Sequence, residues 1–370
     1  MRVAHVSLDG NLPRYGIGTA VVRLTEALAR RGHDVLLAVR RQNVLACPAI
    51  PGVRLVPLAH VGGLLGGRPA YLRQIRRATR AGVDVLHVHA LSRVAAWLLP
   101  ARHRAGARLV VTAHSADEFA PSGPGAGSRT ARRAARRAAQ VARVLAGADE
   151  VVAPSRFVAD RLERVAARPV RVVPWGPTDA MPAERAPHAG FRVVYLGRLV
   201  REKGVHVLLD AFHRAFPDGE DARLVVAGEG PERAALRSRA DELGLGSRVE
   251  FVGHLEVHER RAILARADVV AAPTLGDYET FCLAALDGSA AGAALLVADG
   301  GALPERAEAC GLVVPGGDVL RWAATLRGLR EDPARVEALG AAGRNRAASF
   351  GWDAVARQYE AAYAGEDFRH

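Results

Sequence analysis

Two cations lie near one another in Tyr195-Leu-Gly-Arg-Leu-Val-Arg-Glu-Lys-Gly204. Arg198 follows a glycine at the end of an apolar run, and Lys203 stands just before a helical one. At the carboxyl end of a strand in an open sheet, this pair suits a diphosphate: the guanidinium as a planar fork, the ammonium as a point charge. A surface ion pair is the bland alternative. A second group lies in Pro273-Thr-Leu-Gly-Asp-Tyr-Glu-Thr-Phe-Cys-Leu-Ala-Ala-Leu-Asp287. Glu279 precedes a helix start and Asp287 comes eight residues later, so both can face one cleft. The backbone amides from Thr280 to Leu283 offer an anion site at that helix start. A carboxylate beside them can accept hydrogen bonds from sugar or ribose hydroxyls, although Glu279 could also serve only as a cap.

Two further segments carry weaker signals. Pro13-Arg-Tyr-Gly-Ile-Gly-Thr19 places Gly16 and Gly18 between a strand and a helix, where backbone N–H groups can approach an anion. As a dinucleotide fingerprint it lacks the third glycine and the acid after the second strand, which ends instead in Arg40 and Arg41. A tight turn is the plainer reading. His114, in Val110-Val-Thr-Ala-His-Ser, ends a strand, and His87 and His89 end the strand before it. A lone histidine at such a place is often structural, and His87 and His89 are read that way.

The elements that must position these groups alternate. Strands are expected at Arg2–Leu8, Asp34–Val39, Val83–His89, Arg108–His114, Glu150–Pro154 and Val170–Val173. Helices are expected at Thr19–Gly32, 129–147 and from the Ser155 cap to about Ala166. Prolines and glycines from Pro174 to Gly190 read as a linker. A second series follows. Its strands are Arg192–Leu196, Arg223–Ala227, Val249–Val252, Val269–Ala272, Ala294–Ala298 and Leu312–Val314. Its helices are Val205–Ala215, 231–244, His258–Ala265, Phe281–Gly292, 318–330 and 333–348, with a last helix over Gly351–Tyr363. Short apolar strands between helices predict a doubly wound parallel sheet in each half.

Length and composition agree. A chain of 370 residues, 49% apolar, suits two α/β domains without staples. Cys47, Cys282 and Cys310 lie far apart, with no metal-binding spacing, which fits a reducing cytoplasm and disfavours a disulfide framework or structural zinc. No cleavable leader pattern and no run of about 18 apolar residues is present. The net charge of +12 is spread along the chain, and an abundance of Ala, Arg and Gly fits a GC-rich bacterial genome. One concentration stands out: Arg129, Arg132, Arg133, Arg136, Arg137 and Arg143 share a broad helical face. It reads as a solvated face or as a dock for anionic lipid. Nucleic acid is disfavoured, because no aromatic platform is interleaved with the arginines.

Taken in order, these segments resemble the large family of retaining GT-B glycosyltransferases over nearly the whole chain. The matching residues are Gly16 to Gly18, Gly32-His-Asp-Val35, Gly197-Arg-Leu199, Lys203-Gly204 and Gly228-Glu-Gly-Pro231. Glu279, Gly292, Gly300-Gly301 and Pro304-Glu305 follow in register. The resemblance implies two Rossmann-like doubly wound parallel-sheet domains facing across a cleft whose closure gates reaction. The expected bounds are 1–175 on the acceptor side, 176–350 on the nucleotide-sugar side, and a helix over 351–370 returning to the first domain. It also implies metal-independent transfer with retention, no cofactor, and a nucleotide-sugar as co-substrate, UDP being the family's commonest nucleotide. Arg198 and Lys203 resemble its diphosphate ligands, Glu279 its donor-sugar acid, and His114 the histidine near the reacting carbon. Gly16, Gly18, Gly228, Thr280 and the amides of Phe281, Cys282 and Leu283 resemble donor contacts. His254 and Leu255, after Gly253, resemble the segment lining the base. The chain departs from the pattern where the family's second glutamate is Asp287, where Thr280 replaces a glycine and where Ala293 replaces a proline.

The acceptor is less legible. Asp9, Asp117 and Glu118 fall where family acceptors sit, and they predict a locally acidic pocket for a cationic small molecule such as an amino-sugar or aminocyclitol. Antibiotic assembly is the setting that this implies. A membrane lipid approached through residues 129–143 is the competing acceptor. Readings of other classes are an NADP-linked oxidoreductase, which the incomplete fingerprint disfavours, and a non-catalytic basic adaptor, which leaves Arg198, Lys203 and Glu279 without a task.

Overall fold

The computed structural model describes residues 1–7, 16–40, 49–58, 73–77, 82–91, 95–99, 106–114, 128–182, 184–217 and 221–366, with the side chains of 128–134 left aside. The chain divides into two compact units, one of Met1–Trp175 with Trp352–His370, the other of Gly176–Gly351.

In the first unit, β1 (Arg2–Ser7), β2 (Asp34–Arg40), β3 (Val53–Leu58), β4 (Val85–His89), β5 (Arg108–Thr112), β6 (Glu150–Ala153) and β7 (Arg171–Val172) form one parallel sheet in the order β3-β2-β1-β4-β5-β6-β7. Both faces are covered. Val3, Val35, Val85, Val110 and Val152 point into one core. Ala4, Leu36, Leu86, Leu109 and Val151 point into the other. That is why these strands read as continuous apolar runs rather than alternating ones. Helix α1 (Gly16–Arg30) follows β1, α2 (Ser128–Gly147) precedes β6, and α3 (Arg156–Ala166) follows it. Ser155 caps α3 by accepting from the Val158 amide.

The second unit contains β8 (Phe191–Leu196), α4 (Val205–Ala215), β9 (Ala222–Ala227), α5 (Arg233–Glu242), β10 (Val249–Gly253), α6 (Val257–Leu264) and β11 (Val269–Ala272). It continues through α7 (Leu283–Ala291), β12 (Ala294–Ala298), α8 (Leu303–Ala307), β13 (Gly311–Val314), α9 (Val319–Glu331) and α10 (Pro333–Ala348). The sheet is again parallel, in the order β10-β9-β8-β11-β12-β13. Helix α11 (Trp352–Ala364) then belongs to the first unit. Its Tyr359 and Tyr363 enter the core there, and Glu360 accepts two hydrogen bonds from Arg31 at 2.7 and 2.8 Å.

Three elements differ from expectation. Strand β3 goes unannounced because Val-Arg-Leu-Val-Pro-Leu is half polar and contains Pro57; as an edge strand paired only with β2 it tolerates both. Helix α1 begins at Gly16 rather than Thr19, so Gly16 and Gly18 lie in its first turn. Helix α7 begins at Leu283 rather than Phe281, because Cys282 adopts a left-handed conformation (φ 66°, ψ 77°) that no helix interior accommodates.

Candidate active site

The second unit gathers the charged residues at the carboxyl ends of two neighbouring strands. Arg198 leaves β8 and Lys203 closes a short turn at Arg201–Lys203 before α4. Glu279 lies in the connection from β11 to α7. Because β8 and β11 are paired, the two connections run side by side. Close backbone approach is built into them. Gly204 has φ 68°, and a Cβ there would overlap the carbonyl oxygen of Pro273.

Lys203 Nζ donates to Glu279 Oε1, and both side chains are largely buried. Burial pulls the Lys203 pKa down, but the charge and hydrogen bond of Glu279 outweigh it and leave the value raised. The lysine is therefore a fixed cation. Tyr278 joins the group: its hydroxyl accepts from Arg198 Nη2, and Lys203 Nζ stands 5.2 Å from its ring centre. Arg198 itself is exposed, and its carbonyl oxygen accepts from the Tyr195 hydroxyl at 2.8 Å.

The start of α7 is held from behind. Gly301 N donates to Asp277 Oδ1 at 3.0 Å and Ala302 N to the Glu279 carbonyl at 2.9 Å. Phe281 is buried beneath the Arg306 guanidinium, 4.6 Å from its ring centre. Cys282 places no side-chain cap on the helix, so the amides that α7 presents to an anion begin at Leu283, and Phe281 and Cys282 precede them. Burial and the neighbouring Glu279 push the Cys282 thiol up to about 12, so it is no nucleophile at neutral pH.

Asp287 lies within α7. It is 2% exposed, and its two oxygens accept from Thr178 N at 2.7 Å and Thr178 Oγ1 at 2.6 Å. Arg260 Nε stands 4.0 Å from it. Burial raises the Asp287 pKa, against the pull of Arg260 and Thr178. Thr178 thus ties the start of the second unit to α7, a role that spacing along the sequence does not reveal. Gly228 ends β9 at φ 144°, where a Cβ would overlap the Gly197 carbonyl. Its amide donates to the Gly253 carbonyl at 2.7 Å. His254 is exposed and Leu255 half-buried just beyond.

In the first unit, Gly16 is exposed and Gly18 buried at the start of α1. His114 follows β5, is 3% exposed, and has Trp175 at 5.3 Å between ring centres. Its Nε2 lies 3.1 Å from Nδ1 of His89. Asp9, Asp117 and Glu118 lie outside the described residues, as do Cys47 and the side chains of Arg129, Arg132 and Arg133. Arg136, Arg137 and Arg143 are exposed on α2. Cys282 and Cys310 are free and buried. No helix among the described residues is long and apolar enough to cross a membrane.

The model of the family described as "Glycosyl transferases group 1" matches residues 178–346, and that of "Glycosyltransferase Family 4" matches residues 15–177. A GDP-mannose-dependent alpha-(1-6)-phosphatidylinositol dimannoside mannosyltransferase of Mycobacterium tuberculosis is 31% identical over 328 residues, covering 82% of this chain and 81% of its own. A D-inositol 3-phosphate glycosyltransferase of Xylanimonas cellulosilytica is 29% identical over 391 residues, covering 94% and 91%. Among solved structures, sucrose-phosphate synthase from Thermosynechococcus elongatus superposes with a TM-score of 0.80 at 24% identity, covering 98% of both chains. Anabaena HepE in complex with UDP gives 0.78 at 16% identity, over 98% of this chain and 100% of its own.

Proposed function

The chain belongs to the retaining GT-B glycosyltransferases, and from that premise we propose that it moves a hexosyl unit from a nucleoside-diphosphate sugar to a hydroxyl of a cyclitol-containing acceptor. The observation that carries the donor half is the buried Lys203–Glu279 pair with Arg198 and Tyr278 beside it. On this reading Arg198 and Lys203 neutralise the departing diphosphate, together with the α7 amides. Glu279 orients the sugar by accepting from its hydroxyls. His114 meets the same sugar, and Gly16, Gly18 and Gly228 allow backbone to approach the donor. His254 and Leu255 line the base. Asp287 reaches the ribose: a carboxylate accepts about four hydrogen bonds, so Thr178's two leave capacity. No carboxylate acts as nucleophile, and no metal is required. The work is positioning and charge stabilisation.

UDP is our first donor nucleotide and GDP the second. A GDP-mannose-dependent relative supports the latter, and the fold shared with a UDP-bound protein is compatible with the former. For the acceptor, two relatives carry inositol in their names, as phosphatidylinositol dimannoside and inositol 3-phosphate. This supports a cyclitol, and the acidic residues Asp9, Asp117 and Glu118 extend the reading to an aminocyclitol, as in antibiotic assembly. The test is a cross-panel of UDP- and GDP-sugars with inositol phosphates, aminocyclitols and phosphatidylinositol, in EDTA, with product configuration read by NMR. Transfer with retention to a cyclitol hydroxyl is expected. Donor hydrolysis alone with every acceptor, or loss of transfer in EDTA, would contradict the reading.

A second reading, a lipid-linked acceptor, is favoured by the exposed Arg136, Arg137 and Arg143 on α2. Sedimentation with phosphatidylglycerol vesicles that is lost when these three arginines become glutamine supports it; equal sedimentation of both proteins counts against it.

A further inference from the structure

Four histidines are buried together in the first unit. His5 lies on β1, His87 and His89 on β4, and His114 follows β5, none more than 4% exposed. These are adjacent strands, with His5 opposite His87 and Ser7 opposite His89. Nδ1 of His5 lies 2.9 Å from Nε2 of His89, and Nδ1 of His89 lies 3.1 Å from Nε2 of His114. The rings stack nearly parallel, at 15° and 16°. His87 stands aside, with one nitrogen bonded to the Tyr363 hydroxyl at 2.8 Å and the other to the Thr112 hydroxyl at 2.7 Å. What remains is a row, His5–His89–His114.

A neutral imidazole has one N–H and one lone pair, so each ring in the row donates on one side and accepts on the other. The whole row therefore runs in a single direction, which leaves its outermost N–H either on Nε2 of His5 or on Nδ1 of His114. Nε2 of His5 is buried with no hydrogen-bond partner among the described residues. A buried N–H left without a partner is worse than a buried lone pair left so. A donor sugar at His114 supplies an acceptor at that end of the row, so the proton of His5 sits on Nδ1 and is donated to His89. His89 in turn carries its proton on Nδ1 and donates to Nε2 of His114. We propose that His5 and His89 are positioning residues that hold His114 as its Nδ1–H tautomer, a neutral hydrogen-bond donor for an oxygen of the donor sugar.

The proposal rests on the assignment of His114 to that sugar above. Burial supports it: His5 and His114 are pushed down to about 3, and His87 and His89 lie well below the usual histidine range, so all four are neutral at pH 7. Protonating His114 on Nε2 would set two N–H groups against each other at His89. Nitrogens of His5, His87 and His89 lie within 4.8 Å of one another, a spacing that also suits a metal ion. Against that use, both His87 nitrogens are taken by hydroxyls, and 2.9 Å between His5 and His89 is shorter than the ~3.3 Å expected across a tetrahedral zinc with Zn–N bonds of about 2.0 Å.

The direct experiment is NMR of the wild-type protein with ring-¹⁵N histidine at neutral pH. The expected result is a protonated Nδ1 and a bare Nε2 on His5, His89 and His114. A protonated Nε2 on His114, or a tightly bound zinc ion added to the purified protein and displacing the row's N–H signals, overturns the proposal. A second arm reads kinetics. His89→Leu, which cannot donate, is expected to lower kcat about tenfold with little change in donor KM, the loss of one well-placed hydrogen bond. His89→Gln, whose amide can donate, is expected to recover most of that. Equal kcat in wild type and His89→Leu overturns the positioning role. The predicted tautomer together with full transfer by His114→Ala places the failure in the assignment of His114 to the sugar instead.

Discussion

Lys203 and Glu279 hold each other's charge in a partly dehydrated place, and each is costly there alone. Lys203→Ala is expected to lower kcat/KM about 100-fold or more, as for loss of a group that stabilises transition-state charge, and to destabilise the second unit by about 3 kcal/mol. Steady-state kinetics and urea denaturation check the two effects separately. Asp287→Asn is expected to cost about 1–3 kcal/mol, since an amide cannot accept both Thr178 bonds on its two heads, with nucleotide affinity weakened too. A variant of full stability would remove Thr178 from the account. Arg198, Lys203 and Glu279 are legible in the sequence because each sits at a strand end or helix start. Tyr278 and Thr178 are not, because only the pairing of β8 with β11 and the packing of α7 bring them to their partners.

At the scale of elements, most strands and helices announce themselves by apolar runs and caps, down to Val205–Ala215 and Val269–Ala272 without shift. Two exceptions have physical causes: an edge strand that bears Arg54 and Pro57, and a helix start displaced by Cys282. The order of strands is not written in any one of them, since it depends on where each crossover returns. Glycine at the end of β9 is an element-level demand. Gly228→Ala combines an overlap with the Gly197 carbonyl and a positive φ, and is expected to destabilise the second unit by about 3 kcal/mol or more, read by its urea midpoint. The histidine row makes a pH prediction for β1, β4 and β5. Unfolded histidines take up protons near their ordinary value of 6.5, whereas in the fold burial holds His5 and His114 near 3. The unfolded chain therefore binds more protons between these limits, and stability is full above pH 6.5 and lost as pH falls below it. Each such histidine contributes about 1.4 kcal/mol per pH unit. Melting of the first unit is expected to drop steeply from pH 7 to pH 5; a flat profile would contradict neutral burial of the row.

For the whole molecule, the proposed function places the nucleotide on the second unit and requires no resident ion. On that reading the net charge of +12 bears on anionic partners in general, and selection of a diphosphate rests on Arg198 with the Lys203–Glu279 pair. The family and the doubly wound sheets were legible because glycines, cations and acids recur in a fixed order along both halves. The acceptor was not, because acidic residues such as Asp9, Asp117 and Glu118 form no motif of fixed spacing. The most direct test of the central claim is calorimetric titration of UDP and GDP into the protein in EDTA, beside Arg198→Ala, whose exposed side chain can be removed without disturbing the core. One saturable site for one of these nucleotides is expected, weakened about tenfold or more in the variant. Absence of binding by either diphosphate, or equal affinity in both proteins, would contradict it.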